Sequence, residues 1–179
     1  MRRLGSRLSA WMGIALLASA APGCNRQRAQ VETIEESSAG IASVVHVADP
    51  ATATQLVRGF HDVEQNAWRW TKGSFSVALR PPAGSAQKGA MLVLRFSVPP
   101  QVLERLSSVT VSAKVEGTAL PSENYTRAGD YIYRHEVPPS VLRVEIATID
   151  FSLDRSLPPG TLDQRELGIV VKSVGFEAK

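Results

Sequence analysis

The sequence predicts an all-β domain, an antiparallel β-sandwich. Three observations predict it. Apolar and polar residues alternate with the strand period of two in several separate runs. Proline- and glycine-rich turn signals divide those runs at short intervals. No strand–helix–strand alternation of the kind that builds a parallel sheet is present.

The runs can be taken in order. Ser74–Arg80 (SFSVALR) places Phe75, Val77 and Leu79 on one face. Met91–Val98 keeps Leu92, Leu94, Phe96 and Val98 in one frame, and Val109–Val115 repeats the pattern. Val141–Ile149 and Leu167–Val174 complete the set. Each run can bury one face and wet the other, as strands of antiparallel sheets do. Arg80, Arg95, Lys114, Arg143 and Glu145 then point outward as solvated charges. Pro81-Pro82-Ala83-Gly84, Pro99-Pro100, Glu116-Gly117, Ala128-Gly129-Asp130, Pro138-Pro139 and Pro158-Pro159-Gly160 read as turns between them. Residues 101–107 (QVLERLS) allow one or two short helical turns, the only helical content expected.

The N-terminus has a different character. Arg2, Arg3 and Arg7 precede a mostly apolar run from Leu8 to Ala21, a basic segment and a short apolar segment like those of secretory signals. The run is shorter than the roughly 20 apolar residues a membrane span needs. Two cleavage readings stay open. Ala18-Ser19-Ala20 is a small-x-small site, so cleavage after Ala20 would yield a soluble secreted or periplasmic protein. Ala21-Pro22-Gly23-Cys24 resembles a bacterial lipobox, and that resemblance implies an acylated Cys24 holding the protein to a membrane. The expected organisation is therefore a signal over 1–23, a lipid-anchored cysteine and polar tether over 24–45, and a β-sandwich over 46–179. Asn25, rather than an aspartate, follows the cysteine, which favours the outer of two membranes.

Composition removes several function classes. The chain has 179 residues, with 20 Lys+Arg against 17 Asp+Glu. Residues 1–23 hold three arginines and no acid, so 17 of each sign remain after them. The net charge belongs to the signal, and no nucleic-acid partner is expected. Cys24 is the only cysteine, so no intramolecular disulfide forms. His46, His61 and His135 lack the spacing of a zinc site, and no cofactor or metal is expected. No Gly-x-Ser-x-Gly elbow or phosphate loop occurs.

Two constellations carry candidate chemistry. Trp68-Arg69-Trp70, if extended, puts both indoles on one face and Arg69 on the other. The indoles serve either as packing or as a stacking platform for a sugar. Asp163 and Arg165 flank a strand start, where their charges can pair with each other or with Glu64 and Arg69. That cluster either closes the sandwich end or presents a bidentate guanidinium to a ligand. Glu64, Trp68, Arg69, Trp70, Asp163 and Arg165 are the candidate ligand-binding residues, and no catalytic residue is assigned.

The order Gly59-Phe60-His61-x-x-Glu64, Trp68-Arg69-Trp70-Thr71, and then Asp163-x-Arg165-x-Leu167-Gly168 resembles a β-sandwich module associated with bacterial cell-surface polysaccharide glycosyltransferases. The resemblance covers about residues 56–177. It implies a jelly-roll-like fold and a carbohydrate context, without implying a reaction. Three functions follow as expectations: a non-catalytic envelope binding module with a glycan ligand, a lipoprotein that docks an envelope protein partner, and a glycan-active enzyme with paired carboxylates.

Overall fold

The structure is a computed structural model that describes residues 40–161 and 163–179. The signal segment, Cys24 and most of the tether lie outside the described residues. Among the described residues there are ten strands: β1 (Val44–His46), β2 (Leu56–Glu64), β3 (Trp68–Leu79), β4 (Ala90–Val98), β5 (Val109–Val115), β6 (Thr118–Ala119), β7 (Glu123–Tyr125), β8 (Gly129–Val137), β9 (Ala147–Leu153) and β10 (Val170–Ala178). Two short α-helices, α1 (Ser85–Lys88) and α2 (Pro100–Leu106), and two 3₁₀ turns complete them. Helix α2 occupies the stretch where helical turns were expected.

All paired strands are antiparallel; seven form one hydrogen-bonded path, β6–β5–β9–β3–β10–β4–β8, and β1, β2 and β7 pair beside it with β10, β3 and β5. The path curls into a jelly-roll-like sandwich because β3 serves both layers. Its C-terminal half, Ser74–Leu79, pairs with β9, whereas Arg69 and Trp70 pair with Val171 and Val170 of β10. One layer is thus β2–β3–β9–β5, and the other is β10–β4–β8 with β1 beside β10. The inward rows are those the alternation predicts: Phe75, Val77 and Leu79; Leu92, Leu94, Phe96 and Val98; Val109, Val111 and Val115. They meet in a single core. Phe75 stacks on Phe151 at 4.9 Å between centroids, and Tyr133 of the other layer meets Phe151 edge-on at 6.4 Å.

The β8 end of the path meets β7, which pairs with β5, at a seam. Glu123 accepts from the Tyr125 hydroxyl (2.6 Å) and lies 2.7 Å from His135 Nε2. The Tyr133 hydroxyl donates to Pro121 O. Burial, with Glu123 nearby, pushes both tyrosine hydroxyls well above their ordinary pKa, so they remain donors.

Three stretches differ from the sequence reading. The run Val141–Ile149 is not one strand: β9 begins at Ala147, and Arg143–Ile146 lies exposed. The inward frame of β9 is Ala147, Ile149 and Phe151, so Val144 and Ile146 are out of phase with it. The last strand starts at Val170 rather than Leu167, because Leu167 bridges Leu157 and Gly168 is wedged against β3. Gly129 and Asp130, read as a turn, already belong to β8.

Strand directions sort the connections between two ends of the sandwich. At one end lie the chain entry at residues 40–43, the β3–β4 connection and the β8–β9 connection. At the other end lie the β2–β3, β4–β5, β7–β8 and β9–β10 connections. The candidate residues all belong to this second end.

Candidate functional site

The floor of the site is a row of directly paired residues across three strand pairs. Trp70 pairs with Val170, Val170 with Ser97, and Ser97 with Asp130. Paired residues share a face. Trp68 is two residues from Trp70 on the same face, and it pairs with Glu64. The two indoles and the Glu64 carboxylate are therefore side by side by register alone. Trp70 is 7% exposed and forms the base, while Trp68 is half-buried and forms a side.

Walls rise around this floor from the four connections. A cavity of about 640 Å³ is lined by Trp68, Trp70, Pro99, Pro100 and Gln101, with Asp130 and Lys172 at its far edge. A second cavity of about 640 Å³ is lined by Gln101, Arg105, Leu157, Thr161, Asp163 and Arg165. The two share Glu64, Trp70 and Gln101 and together make one groove with an aromatic half and a charged half.

Five of the six sequence candidates, Glu64, Trp68, Trp70, Asp163 and Arg165, line this groove. Arg69 does not. Its side chain leaves from the opposite face of β3, where Nε donates to Val47 O (2.7 Å) and Nη1 to His61 O (2.9 Å). It ties β1 and β2 to β3 and takes no part in the carboxylate cluster that the sequence allowed it to join.

Arg165 is the centre of that cluster. Nε and Nη2 donate in parallel to the two oxygens of Asp163 (3.0 and 2.8 Å), and Nη1 donates to Glu64 Oε1 (2.8 Å). This bidentate geometry is the strong form of the arginine–carboxylate contact. The Arg165 side chain and its backbone N–H hold the Asp163 carboxyl down at about 2, and the carboxylates push Arg165 further up. Nearby, Glu166 accepts from Ser156 Oγ (2.6 Å) and Gly73 N (2.9 Å), which lowers its pKa.

A pH prediction follows from these signs. A carboxylate whose folded pKa lies below its unfolded value stabilises the fold above the unfolded pKa. That contribution disappears as pH falls through the folded value. Stability should thus hold from neutral pH down to the ordinary aspartate range near 3.8 and decline from there toward about 2. Asp163→Asn should flatten the decline in acid titrations monitored by circular dichroism; an unchanged profile would contradict the assignment.

The connection from Asp154 to Ile169 is long for a compact domain, a length usual in functional loops. It is fastened beside Trp70. Thr71 N donates to Ile169 O (2.9 Å), Gly168 N donates to Thr71 O (2.7 Å), and Ile169 N donates to Thr71 Oγ1 (3.2 Å). A Cβ on Gly168 would stand 2.7 Å from Lys72 O, so only glycine lets the loop lie this close to β3.

Sequence reasoning missed Gln101, Pro99, Pro100, Arg105, Asp130 and Lys172 as groove residues. Pro99-Pro100 was legible only as a turn, and Lys172 only as a member of the run Leu167–Val174. Lys172 Nζ donates to Asp130 Oδ1 (2.9 Å), and Ser97 Oγ donates to the same oxygen. These contacts hold the Asp130 carboxyl below its usual range.

No family model matches the chain, and no curated protein matches it. Solved structures with a similar course of chain include the CBM36-1 domain of a multidomain xylanase from the hindgut metagenome of Trinervitermes trinervoides. It is 10% identical with a TM-score of 0.43, over 76% of this chain and 96% of that one. A family 35 carbohydrate binding module from Clostridium thermocellum is 14% identical with a TM-score of 0.42, over 75% of this chain and 98% of that one. An acetyl xylan esterase from the rumen bacterium Butyrivibrio proteoclasticus is 5% identical with a TM-score of 0.43, over 78% of this chain and 34% of that one. Scores and identities this low carry no argument about what this chain binds.

Asp163 is held far below the range in which a carboxylic acid donates a proton at neutral pH, so it is unsuited to the general-acid half of a glycosidase pair. Glu64 has one carboxylate oxygen fixed on Arg165 and stands between the two halves of the groove as an acceptor.

Proposed function

We propose that this chain is an exported, non-catalytic envelope module that binds carbohydrate in the groove, and that acylated Cys24 anchors it to a membrane. The observation that supports the ligand class is the placement of Trp68, Trp70 and Glu64 on one face of an open groove. The C–H face of a pyranose packs on an indole, while hydroxyls at the ring edge need acceptors and donors. Glu64, Gln101 and Thr161 supply them along the groove. The two joined cavities suit an extended chain of sugars better than a single unit. A place beside surface polysaccharide machinery belongs to the same proposal, through the family resemblance.

The test is binding to immobilised glycans by the native protein and by Trp68→Ala. Trp68 is half-buried, so the variant should fold. Truncating an aromatic anchor costs about 2 kcal/mol, which predicts a roughly thirtyfold weaker Kd. No binding above an unrelated control protein, or equal binding by the variant, would sink the reading. The anchor is tested separately by mass spectrometry of the mature N-terminus. A lipid-modified Cys24 is the expected result, and an unmodified terminus at Ala21 would remove it.

A further inference from the structure

Among the described residues, the charged side chains that line the groove are three carboxylates, Glu64, Asp130 and Asp163, and three cations, Arg105, Arg165 and Lys172. Three against three sum to zero, but the two halves differ. The aromatic half holds Glu64, Asp130 and Lys172, a surplus of one negative charge. The other half holds Asp163, Arg105 and Arg165 and borders the same Glu64, so its charges balance. Glu104 and Arg127, in the flanking connections, do not line the groove, and Lys72 and Glu166 line a separate cavity that shares Arg165 with it.

Two of the three cations are already committed. Arg165 holds Asp163 and one oxygen of Glu64, and Lys172 holds Asp130. Arg105 makes no ion pair among the described residues, but it stands in the half where two carboxylates share one arginine. The aromatic half therefore has no uncommitted cation. What it does have is open acceptors. Arg165 takes Glu64 Oε1, while Ser97 and Lys172 both take Asp130 Oδ1. Glu64 Oε2 and Asp130 Oδ2 have no hydrogen-bond partner among the described residues.

The register places these two acceptors on opposite sides of the indole floor. Glu64 pairs with Trp68, and Asp130 ends the row that runs from Trp70 through Val170 and Ser97. An ionised carboxylate accepts hydrogen bonds and donates none. A sugar hydroxyl beside the indoles satisfies it. A sugar carboxylate in the same place meets like charge in a partly desolvated site. The contacts from Ser97 and Lys172 hold Asp130 ionised well below neutral pH, so the repulsion persists there.

We infer that the groove selects neutral glycans against acidic ones, and that Glu64 and Asp130 set this preference. The inference rests on the carbohydrate reading proposed above and names the class of sugar within it. Selectivity comes from one device used twice, an acceptor that welcomes a hydroxyl and repels a carboxylate.

The experiment compares oligosaccharide pairs that differ only in a primary hydroxyl or the carboxylate made from it. Cello-oligosaccharides are set against their uronic-acid counterparts, and mannan oligosaccharides against mannuronan oligosaccharides. Binding by the full chain is measured at low salt and at about 1 M salt, where the screening length falls to roughly 3 Å. In each pair that binds, the acidic member should be at least about tenfold weaker at low salt, and the gap should narrow at high salt. Glu64→Gln and Asp130→Asn should each reduce the gap to about threefold or less. Asp130 is exposed, so its variant keeps the fold even if loss of the Glu64 carboxylate loosens Arg165. Acidic members that bind as tightly as neutral ones overturn the inference and leave the carbohydrate reading intact. A gap unchanged in both variants overturns the assignment to Glu64 and Asp130. Binding to no pair, and to none of the immobilised glycans above, removes the carbohydrate reading and this inference with it.

Discussion

Gly59→Ala is expected to destabilise the domain by about 3–5 kcal/mol, lowering Tm by roughly 10–15 °C. Gly59 lies in the middle of β2 with φ +78°, a left-handed conformation that costs an L side chain energy before any contact is considered. Contact then makes matters worse. A Cβ there would stand 2.1 Å from Ser74 O and 2.7 Å from Phe75 Cα, both backbone atoms of the adjacent strand. Neither can rotate away, so β2 has to lift from β3. The register between these strands shifts across Gly59, between Arg58 and Phe60, and again on either side of it, between Leu56 and Arg58 and between Phe60 and Val63. The glycine is what permits the bulge. Urea unfolding would read the effect, and a loss below about 1 kcal/mol would show that the strand relaxes more cheaply than the geometry implies.

Phe75→Ala should cost about as much, roughly 3–5 kcal/mol, for a different reason. Phe75 is fully buried and touches aromatic rings on two other strands. It stacks on Phe151 at 4.9 Å and takes Phe60 edge-on at 5.3 Å, which joins β2, β3 and β9. Through Phe151 it also supports Tyr133 of the opposite layer. Truncation leaves a cavity at the junction of both layers, where strands already fixed by ladders on each side have little freedom to collapse. Phe75→Leu should recover most of the loss, ending about 1–2 kcal/mol below the native protein. Equal destabilisation by the two variants would point to aromatic geometry rather than volume.

How much of this was legible in the sequence depended on the regularity of each strand. β4 and β5 announced themselves because every second residue is buried, from Leu92 to Val98 and from Val109 to Val115. β2 did not, because its bulges break the period of two, and Leu56–Glu64 shows no steady alternation. The frame change between Leu142 and Ala147 misled in the other direction, since residues on both sides of it are apolar. For the groove, the motifs Glu64, Trp68-x-Trp70 and Asp163-x-Arg165 were readable because each is local. The pairing of Arg165 with Asp163 and Glu64 was among the alternatives read there, but its placement beside Trp68 and Trp70 was not, because that depends on β3 crossing between layers. Gln101, Arg105, Asp130 and Lys172 had no local signature, being brought in by connections far apart in the chain.

The division of labour between strands and connections has an evolutionary consequence. The groove floor is made of ladder residues, but its walls come from the Pro99–Ser108 and Asp154–Ile169 stretches and from the turn before β8. Replacements at the exposed positions of these stretches, away from the buried Val102, Leu157, Leu167 and Ile169, can reshape the walls while Phe75, Phe96 and Phe151 keep the sandwich intact. Groove shape and foldedness are therefore separable at those exposed positions. Descendants could diverge in the shape of the groove, under selection acting on the exposed loop positions, without passing through unfolded intermediates.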